Sequence, residues 1–202
     1  MLAVLILAAM LTRHYWTVQI AQSLVCGEDV EPSDAMLIEN FDPNYLLFER
    51  AEALERAGVA RRTFVPVEAS PDPTVANPVS VGVAGVMAHQ ARLRMWTAIP
   101  ITHTEPISLN AAMQIRQRLG IERVRSVVVV APALRSRRSA LVYRAMLGPA
   151  NIVVHCAPVF GASSPETWTE TWHGVQEVIE EVVKLQYYRL YALPFRAPHA
   201  GS

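Results

Sequence analysis

Glycine-rich phosphate loops and metal-binding motifs are missing from this sequence. The 202-residue chain has nine glycines and contains none of the patterns GxGxxG, GxxxxGK[ST], HExxH and GxSxG. The nearest match to a nucleophile elbow, at residues 161–165, lacks the second glycine. These absences disfavour a P-loop NTPase, a zincin and an ordinary α/β-hydrolase. Because no histidine has another histidine or a cysteine at i+4, the sequence predicts no metal site and leaves any cofactor open.

Cysteine is scarce, and neither sign of charge dominates. Cys26 and Cys156 allow at most one disulfide, and they leave the compartment open. Lys and Arg total 18, as do Asp and Glu, so no global positive field attracts nucleic acid, and no nucleic-acid partner is predicted. Hydrophobic residues make up 51% of the chain and charged residues 18%, which is typical of a folded protein of this length with a single domain.

The longest apolar run covers residues 1–11. It is shorter than the about 20 apolar residues that span a bilayer, and no basic region precedes it as in a cleaved signal. Three interpretations stay open: a truncated membrane anchor, a short intact anchor with Arg13 and His14 snorkelling, and a core helix. The run has no polar residue, which excludes an amphipathic surface helix and favours membrane association. Residues 1–25 are therefore predicted as a membrane anchor, and residues 30–195 as the folded domain.

From Asp34 onward, short β-rich runs alternate with longer helical ones. The predicted strands cover residues 34–39, 62–67, 97–102, 126–133 and 151–156, and the predicted helices cover residues 45–58, 79–95, 108–120, 136–147 and 165–193. Pro66 predicts that the second strand ends there or lies near an edge. The valine run 127–130 is typical of a parallel strand covered on both faces. The alternation predicts an α/β fold: a Rossmann-like, doubly wound, mainly parallel five-stranded sheet with helices on both faces.

In such a sheet, ligands bind beyond the carboxyl ends of the strands, at the topological switch point. Glu105, Ser108 and Asn110 follow the third predicted strand and open a helix. A carboxylate, a hydroxyl and an amide at a helix N-terminus can bind or activate a polar ligand, with backbone N–H groups adding affinity for anions. Capping of the helix by Ser108 explains the same residues equally well.

Three arginines follow the valine strand at the start of the next predicted helix: Arg135, Arg137 and Arg138. Positive charge at this end opposes the helix dipole, so the cluster favours a phosphate or carboxylate ligand. In the alternative interpretation, Arg137 points to solvent, and the other two arginines pair with Glu105 or another carboxylate.

The last predicted helix carries two tryptophans and a histidine near its start. Trp168 and Trp172 are four residues apart, which favours core packing on one helix face. His173 lies next to that face and is a candidate ligand contact.

The order of several segments resembles the YdcF, SanA and ElyC group of bacterial proteins, a domain family of unknown biochemical function. The segments are SDAMLIENFD, FERAEALERAG, EPISLNAA, VVVVAPALRSRRSALVYR and TWTETWHGVQEVIEEVVKLQYY. The resemblance covers roughly residues 20–195. It implies a Rossmann-type domain, often behind one N-terminal membrane anchor. It also implies a link to envelope integrity or to polysaccharide and peptidoglycan precursor metabolism, and in one branch to S-adenosylmethionine binding.

The resemblance also implies site residues by position. The glycine-rich end of the family's first strand falls near Glu39, Asn40 and Asp42, and the arginine of the next helix falls on Arg50. The family's acidic and serine pair matches Glu105 and Ser108.

This chain departs from the family pattern at two places. The family's histidine-x-x-arginine becomes Arg135 and Arg138, so the histidine is lost. Its threonine and Glu-Asn are replaced by Ala111, Met113 and Gln114. These departures imply a different ligand or a loss of catalysis.

Together, residues and resemblance predict a membrane-anchored domain that lies outside the cytoplasm, in the periplasm. It would bind or process an anionic cell-envelope precursor such as a phosphorylated lipid carrier or sugar. Arg135 and Arg138 would hold charge, and Glu105 would act as general acid or base. The predicted ligand-binding residues are Asn40, Asp42, Arg50, Ser108, Asn110, Arg135, Arg138 and His173. Two alternatives stay open: a cytoplasmic binder of a nucleotide or S-adenosylmethionine, and a non-catalytic envelope scaffold.

Overall fold

A computed structural model describes the backbone of residues 2–196 and the side chains of residues 12–195. The strands are β1 (Ala35–Ile38), β2 (Thr63–Glu68), β3 (Thr97–Ile101), β4 (Ser126–Pro132) and β5 (Val153–Val159). The helices are α1 (Leu2–Gln22), α2 (Tyr45–Arg56), α3 (Pro78–Gln90), α4 (Ile107–Ile121), α5 (Ala133–Leu147), α6 (Trp172–Tyr187) and α7 (Leu193–Arg196). A π-helical stretch, Tyr188–Ala192, joins the last two helices.

All five strands are parallel, in the order β3-β2-β1-β4-β5. This arrangement confirms the predicted doubly wound, Rossmann-like α/β fold. The chain starts at the centre of the sheet, adds β2 and β3 on one side, and then crosses to add β4 and β5 on the other. The topological switch point therefore lies between β1 and β4, which is where the carboxyl ends of the strands open a crevice.

The valine run lies in the interior of the sheet. Val127 to Val130 are fully buried in β4, which pairs with β1 on one side and β5 on the other. Val128 and Val130 belong to the core under α2 and α3, whereas Val127 and Val129 belong to the core under α4 and α5. Because helices cover both faces, this strand needs no polar side, as predicted.

Pro66 lies inside the sheet, so the prediction that the second strand ends there or lies near an edge is wrong. β2 runs on to Glu68 and lies between β1 and β3. Its ladder with β1 stops at the pair Leu37–Phe64, however, so Pro66 follows the last pair on that side. A residue without an N–H therefore removes no bond to β1.

The helix predicted over residues 165–193 is interrupted. Thr171 is extended, with φ −129° and ψ 149°, and its side chain accepts a hydrogen bond from the Gly174 N–H, so α6 begins only at Trp172. This break separates the two tryptophans: Trp168 is buried, whereas Trp172 is 74% exposed. The prediction that both pack on one core face is wrong because they do not share one helix.

Other boundaries differ by a few residues. α3 ends at Gln90, α5 begins directly after β4 at Ala133, and β5 runs on to Val159. β5 starts later than predicted because a 3₁₀ turn, Gly148–Ala150, and the left-handed residue Asn151 precede it.

The end of α1 packs on the domain. Ala21, Leu24 and Val25 are buried in a cluster with residues of α5 and α6, and the indole N–H of Trp168 donates to the Thr17 carbonyl at 3.1 Å. Arg137 also holds this end, since its Nε and Nη2 donate to the Val25 carbonyl at 3.2 and 2.8 Å. Arg137 is exposed, as the alternative interpretation expected, although its guanidinium is not free of protein contacts.

The segment after α1 is fixed along the outer edge of β5. Cys26 forms a disulfide with Cys156. Asp29 and Cys156 exchange two backbone hydrogen bonds, of 3.0 and 3.1 Å, in an antiparallel bridge. Residues 21–29 are thus part of the folded domain.

Among the residues that the structure describes, no helix combines the length and the apolar character needed to cross a membrane. The side chains of the apolar run 1–11, on which the predicted anchor depends, lie outside the described residues.

Candidate functional site

A cleft of about 370 Å³ lies beyond the carboxyl ends of β1, β3 and β4, beside the switch point. The side chains that line it come from five parts of the chain: Phe41 and Asp42 follow β1, His103 and Glu105 follow β3, Ile107 and Ser108 open α4, Arg135 and Arg138 lie on α5, and Lys184, Tyr187 and Tyr188 lie at the end of α6 and just beyond it. Five residues predicted from the sequence thus meet here: Asp42, Glu105, Ser108, Arg135 and Arg138. They meet because each follows the carboxyl end of a parallel strand.

Arg135 bridges a buried and an exposed carboxylate. Its Nη2 donates to Asp42 Oδ2 at 2.6 Å, and its Nε lies 3.6 Å from Glu181 Oε1. The side chain of Glu181 is almost fully buried, whereas that of Asp42 is 74% exposed. Burial disfavours the charge of Arg135, yet the neighbouring carboxylates of Glu39, Asp42 and Glu181 raise its pKa. Arg135 therefore stays charged and keeps one side open to the cleft.

Arg138 is held on all sides. Its Nε and Nη2 donate to the two oxygens of Glu181 at 2.8 and 3.1 Å, and its Nη1 donates to Ser108 Oγ at 2.8 Å. The guanidinium also lies over the Tyr188 ring, 5.6 Å from its centroid. Burial opposes its charge, but Glu181 and Glu39 raise its pKa. Arg138 is thus a fixed positive charge at the base of the cleft.

These ion pairs compensate the positive charge that the arginines place at the N-terminus of α5. Carboxylates within the protein already balance both arginines, so their placement at a helix N-terminus does not by itself require an external anion. The partners are Asp42 and Glu181; no ion pair joins Glu105 to another of the described residues.

The side chain of Glu39 is buried near Arg135 and Arg138. Glu39 follows β1, is 1% exposed, and lies 2.8 and 2.6 Å through its two oxygens from Ser139 Oγ on α5. Burial raises its pKa, although Arg138, Arg135 and Ser139 act in the opposite direction. On the same helix face, the Tyr143 hydroxyl is buried without a hydrogen-bond partner, and burial raises its pKa well above the usual value.

The raised pKa of Glu39 predicts a pH dependence of stability. At a pH above the ordinary pKa range of carboxyl groups, Glu39 keeps its proton in the folded state, whereas it has released that proton in the unfolded chain. The free energy of unfolding should therefore fall as pH rises through the raised pKa. Glu39→Gln keeps the shape and the acceptor for Ser139 but cannot titrate, so its profile should lack this fall. Urea unfolding from about pH 4 to about pH 8 measures the difference. Glu49→Gln, an exposed change on α2, is the control, and identical profiles for wild type and Glu39→Gln would contradict the raised pKa.

Ser108 is not the cap of its helix, which corrects the capping interpretation. α4 begins at Ile107 after Pro106, whose side chain cannot cap, and Ser108 lies in the first turn. Its hydroxyl accepts from Arg138, and its backbone N–H donates to the Tyr188 hydroxyl at 3.2 Å. Glu105, which is exposed on the cleft rim, accepts from the Ile107 N–H at 3.3 Å.

Four predicted ligand residues lie elsewhere. Asn110 donates from Nδ2 to the Thr104 carbonyl at 2.9 Å and so stabilises the loop before α4. Arg50 forms an ion pair with Glu28, away from the cleft. His173 is exposed in the first turn of α6, and Asn40 lines an adjoining cavity.

The predicted ligand-binding residues did not include Ser139, Glu181 and Lys184, and Glu39 was placed near the site only by the resemblance. Glu181 had a visible signal: it occupies the buried face of α6 with Gly174, Val178 and Leu185, at spacings of three and four residues. A carboxylate on an otherwise apolar helix face requires a partner. Glu39 likewise follows a buried strand directly.

No group of three or more His, Cys, Asp or Glu residues in the described part of the chain is arranged to hold a metal ion. No family model matches the sequence, and no curated protein and no solved structure matches it either, so the resemblance to the YdcF, SanA and ElyC group stays a prediction.

Proposed function

We propose that the cleft binds a phosphorylated ligand, with Arg135 and Lys184 as its direct contacts. The observation that carries this proposal is the Asp42 carboxylate on Arg135: an exposed, displaceable acid group sits where a phosphate oxygen would bind. Lys184 is 41% exposed, and its ammonium lies 2.5 Å from the carboxylate of Glu180, which is 51% exposed. Arg138 adds a fixed positive charge, and the Ser108 hydroxyl lines the same cleft.

The resemblance suggests that this ligand is a cell-envelope precursor, such as a phosphorylated lipid carrier or sugar. The disulfide between Cys26 and Cys156 supports an oxidising compartment outside the cytoplasm, because such bonds persist there. Glu105, on the rim of the cleft, is the candidate general acid or base should the ligand be processed.

Inorganic phosphate is the simplest probe of this proposal. We expect it to bind to the wild-type protein in calorimetry at constant ionic strength. Arg135→Gln should weaken binding by about ten- to a hundredfold, because one charge-assisted hydrogen bond contributes about 1.5–3 kcal/mol. Asp42→Asn should strengthen binding, because it removes the acid group that competes for Arg135.

Arg189→Gln is the matched control, since it removes an exposed arginine just beyond α6 that does not line the cleft. Equal phosphate affinity in all four proteins, or no binding to the wild type, would contradict the proposal.

Residues 1–25 are proposed to tether the domain to the envelope membrane. Because Ala21, Leu24 and Val25 are buried in the domain, a deletion of all 25 residues would expose the core. Deleting residues 2–11 instead should move the protein from the membrane fraction to the soluble fraction while its thermal unfolding stays cooperative. Recovery of both chains in the same fraction would contradict the tether.

A further inference from the structure

A second cavity, of about 230 Å³, opens where β1 and β2 separate. The two strands pair only as far as Leu37 and Phe64, and β2 then continues for four residues beside β3. The cavity shares Phe41 and His103 with the cleft and extends from there towards α3. The two spaces therefore adjoin at these two side chains.

Polar groups without partners line this cavity. Asn40 Oδ1 is buried and has no hydrogen-bond partner among the described residues. The side chains of Glu68, Ser80 and His103 also line the cavity, and none of them forms a hydrogen bond or ion pair with the residues that the structure describes. This contrasts with the cleft, where the charged groups are already paired. Glu68 and His103 are exposed, so the buried acceptor that lacks a donor is Asn40 Oδ1, and it favours a ligand that supplies an O–H or N–H group.

The rest of the lining is apolar. Val67 and Ile101 are buried in the sheet, and Val79 and Val83 of α3 expose 74% and 41% of their surface. A ring covers such walls with its face and presents hydroxyl groups at its edge. The carboxylate of Glu68 disfavours a second anion here, so the part of the ligand in this cavity is neutral or a donor.

The position of Glu68 favours a ring that carries hydroxyl groups. It is the last residue of β2, and in the doubly wound folds that bind dinucleotides an acidic side chain at this place accepts a hydrogen bond from a ribose hydroxyl. The loop after β1 lacks glycine, so it does not offer the close backbone approach that dinucleotide-binding loops give to a pyrophosphate. In this chain the positive charge lies on the β4 side instead, at Arg135.

We propose that this cavity binds a ring with vicinal hydroxyl groups, with Glu68 and Asn40 as the acceptors, and that the ring is joined to the phosphate in the cleft. The second part of this inference rests on the proposed function; the ring site itself does not. Ribose in a nucleotide and a hexose phosphate share this chemistry.

Calorimetry with a set of probes tests the inference. Adenosine monophosphate and glucose phosphate are the two sources, inorganic phosphate is the reference, and deoxyadenosine monophosphate lacks one of the two vicinal hydroxyls. We expect at least one ring-bearing phosphate to bind about tenfold or more tightly than inorganic phosphate. If adenosine monophosphate is that ligand, its deoxy form should lose the gain.

The variant Glu68→Gln distinguishes the contribution of the ring to the affinity from that of the phosphate. It should remove most of the gain from the ring and leave the affinity for inorganic phosphate unchanged or slightly higher. Glu49→Gln, an exposed change of the same type on α2, should change neither.

The outcomes distinguish the two proposals. Equal affinity for inorganic phosphate and every ring-bearing phosphate overturns the ring site, as does a gain that survives Glu68→Gln. If inorganic phosphate does not bind, the proposed function fails. In that case, binding of free adenosine or glucose that Glu68→Gln weakens still supports the ring site, and its absence overturns it.

Discussion

Replacing Glu181 with leucine is expected to lower the free energy of unfolding by about 3–5 kcal/mol, which is the usual cost of removing one partner of a buried ion pair. Arg138 loses both carboxylate hydrogen bonds and remains buried with its charge, and Arg135 loses its buried neighbour. Chemical denaturation measures the loss. Glu180→Leu is the matched control, because this neighbouring carboxylate is half exposed and, among the described residues, forms an ion pair only with Lys184 at the surface, where such a pair contributes about 0–1 kcal/mol.

A second change shows whether the cost comes from the unpaired arginine. Glu181→Leu combined with Arg138→Met should recover most of the lost stability, because well-packed apolar side chains often replace a buried ion pair without net cost. The expectation is contradicted if Glu181→Leu lowers the free energy of unfolding no more than Glu180→Leu does, or if the double variant is no more stable than Glu181→Leu. In either case the burial of Arg138 does not depend on Glu181.

Removing the disulfide is expected to destabilise the folded protein by a similar amount. Cys26→Ala with Cys156→Ala should lower the free energy of unfolding by about 2–5 kcal/mol, because the bond joins residues 130 positions apart and restricts the unfolded chain. Denaturation with and without a reducing agent measures it. Reductant should destabilise the wild type to the level of the variant and leave the variant unchanged.

Thiol titration provides the independent check on the bond. The unfolded wild-type protein, prepared without reductant, should show no free thiol. Two free thiols together with equal stability of wild type and variant would contradict a disulfide in the folded protein.

The fold could be predicted largely from local patterns. The valine run and the regular alternation of strands and helices are enough for a parallel sheet, because a strand buried on both faces has no polar side to display. The predictions that proved wrong concern features that depend on pairing or backbone conformation outside the local sequence pattern. Pro66 is tolerated inside the sheet only because β1 stops pairing before it, and the two tryptophans separate only because Thr171 is extended.

The site could be predicted in part for the same reason. Asp42, Ser108 and Arg135 follow strand ends, and a parallel sheet brings all such ends to one edge. The partners of the arginines could not be assigned, because Arg138 and Glu181 are 43 residues apart and meet only through the packing of α5 against α6. The resemblance placed Arg50 at the site, whereas its ion pair with Glu28 holds it away from the cleft.

The two outer strands of the sheet are each protected against pairing with another molecule. An exposed strand edge is a template for aggregation. On β5, the backbone bonds between Asp29 and Cys156 occupy the middle of the edge, and the disulfide keeps that segment in place. On β3, Pro100 interrupts the row of donors, since proline has no N–H. Strand addition is therefore hindered at both sides of the sheet, and on one of them that protection depends on an oxidised cysteine pair.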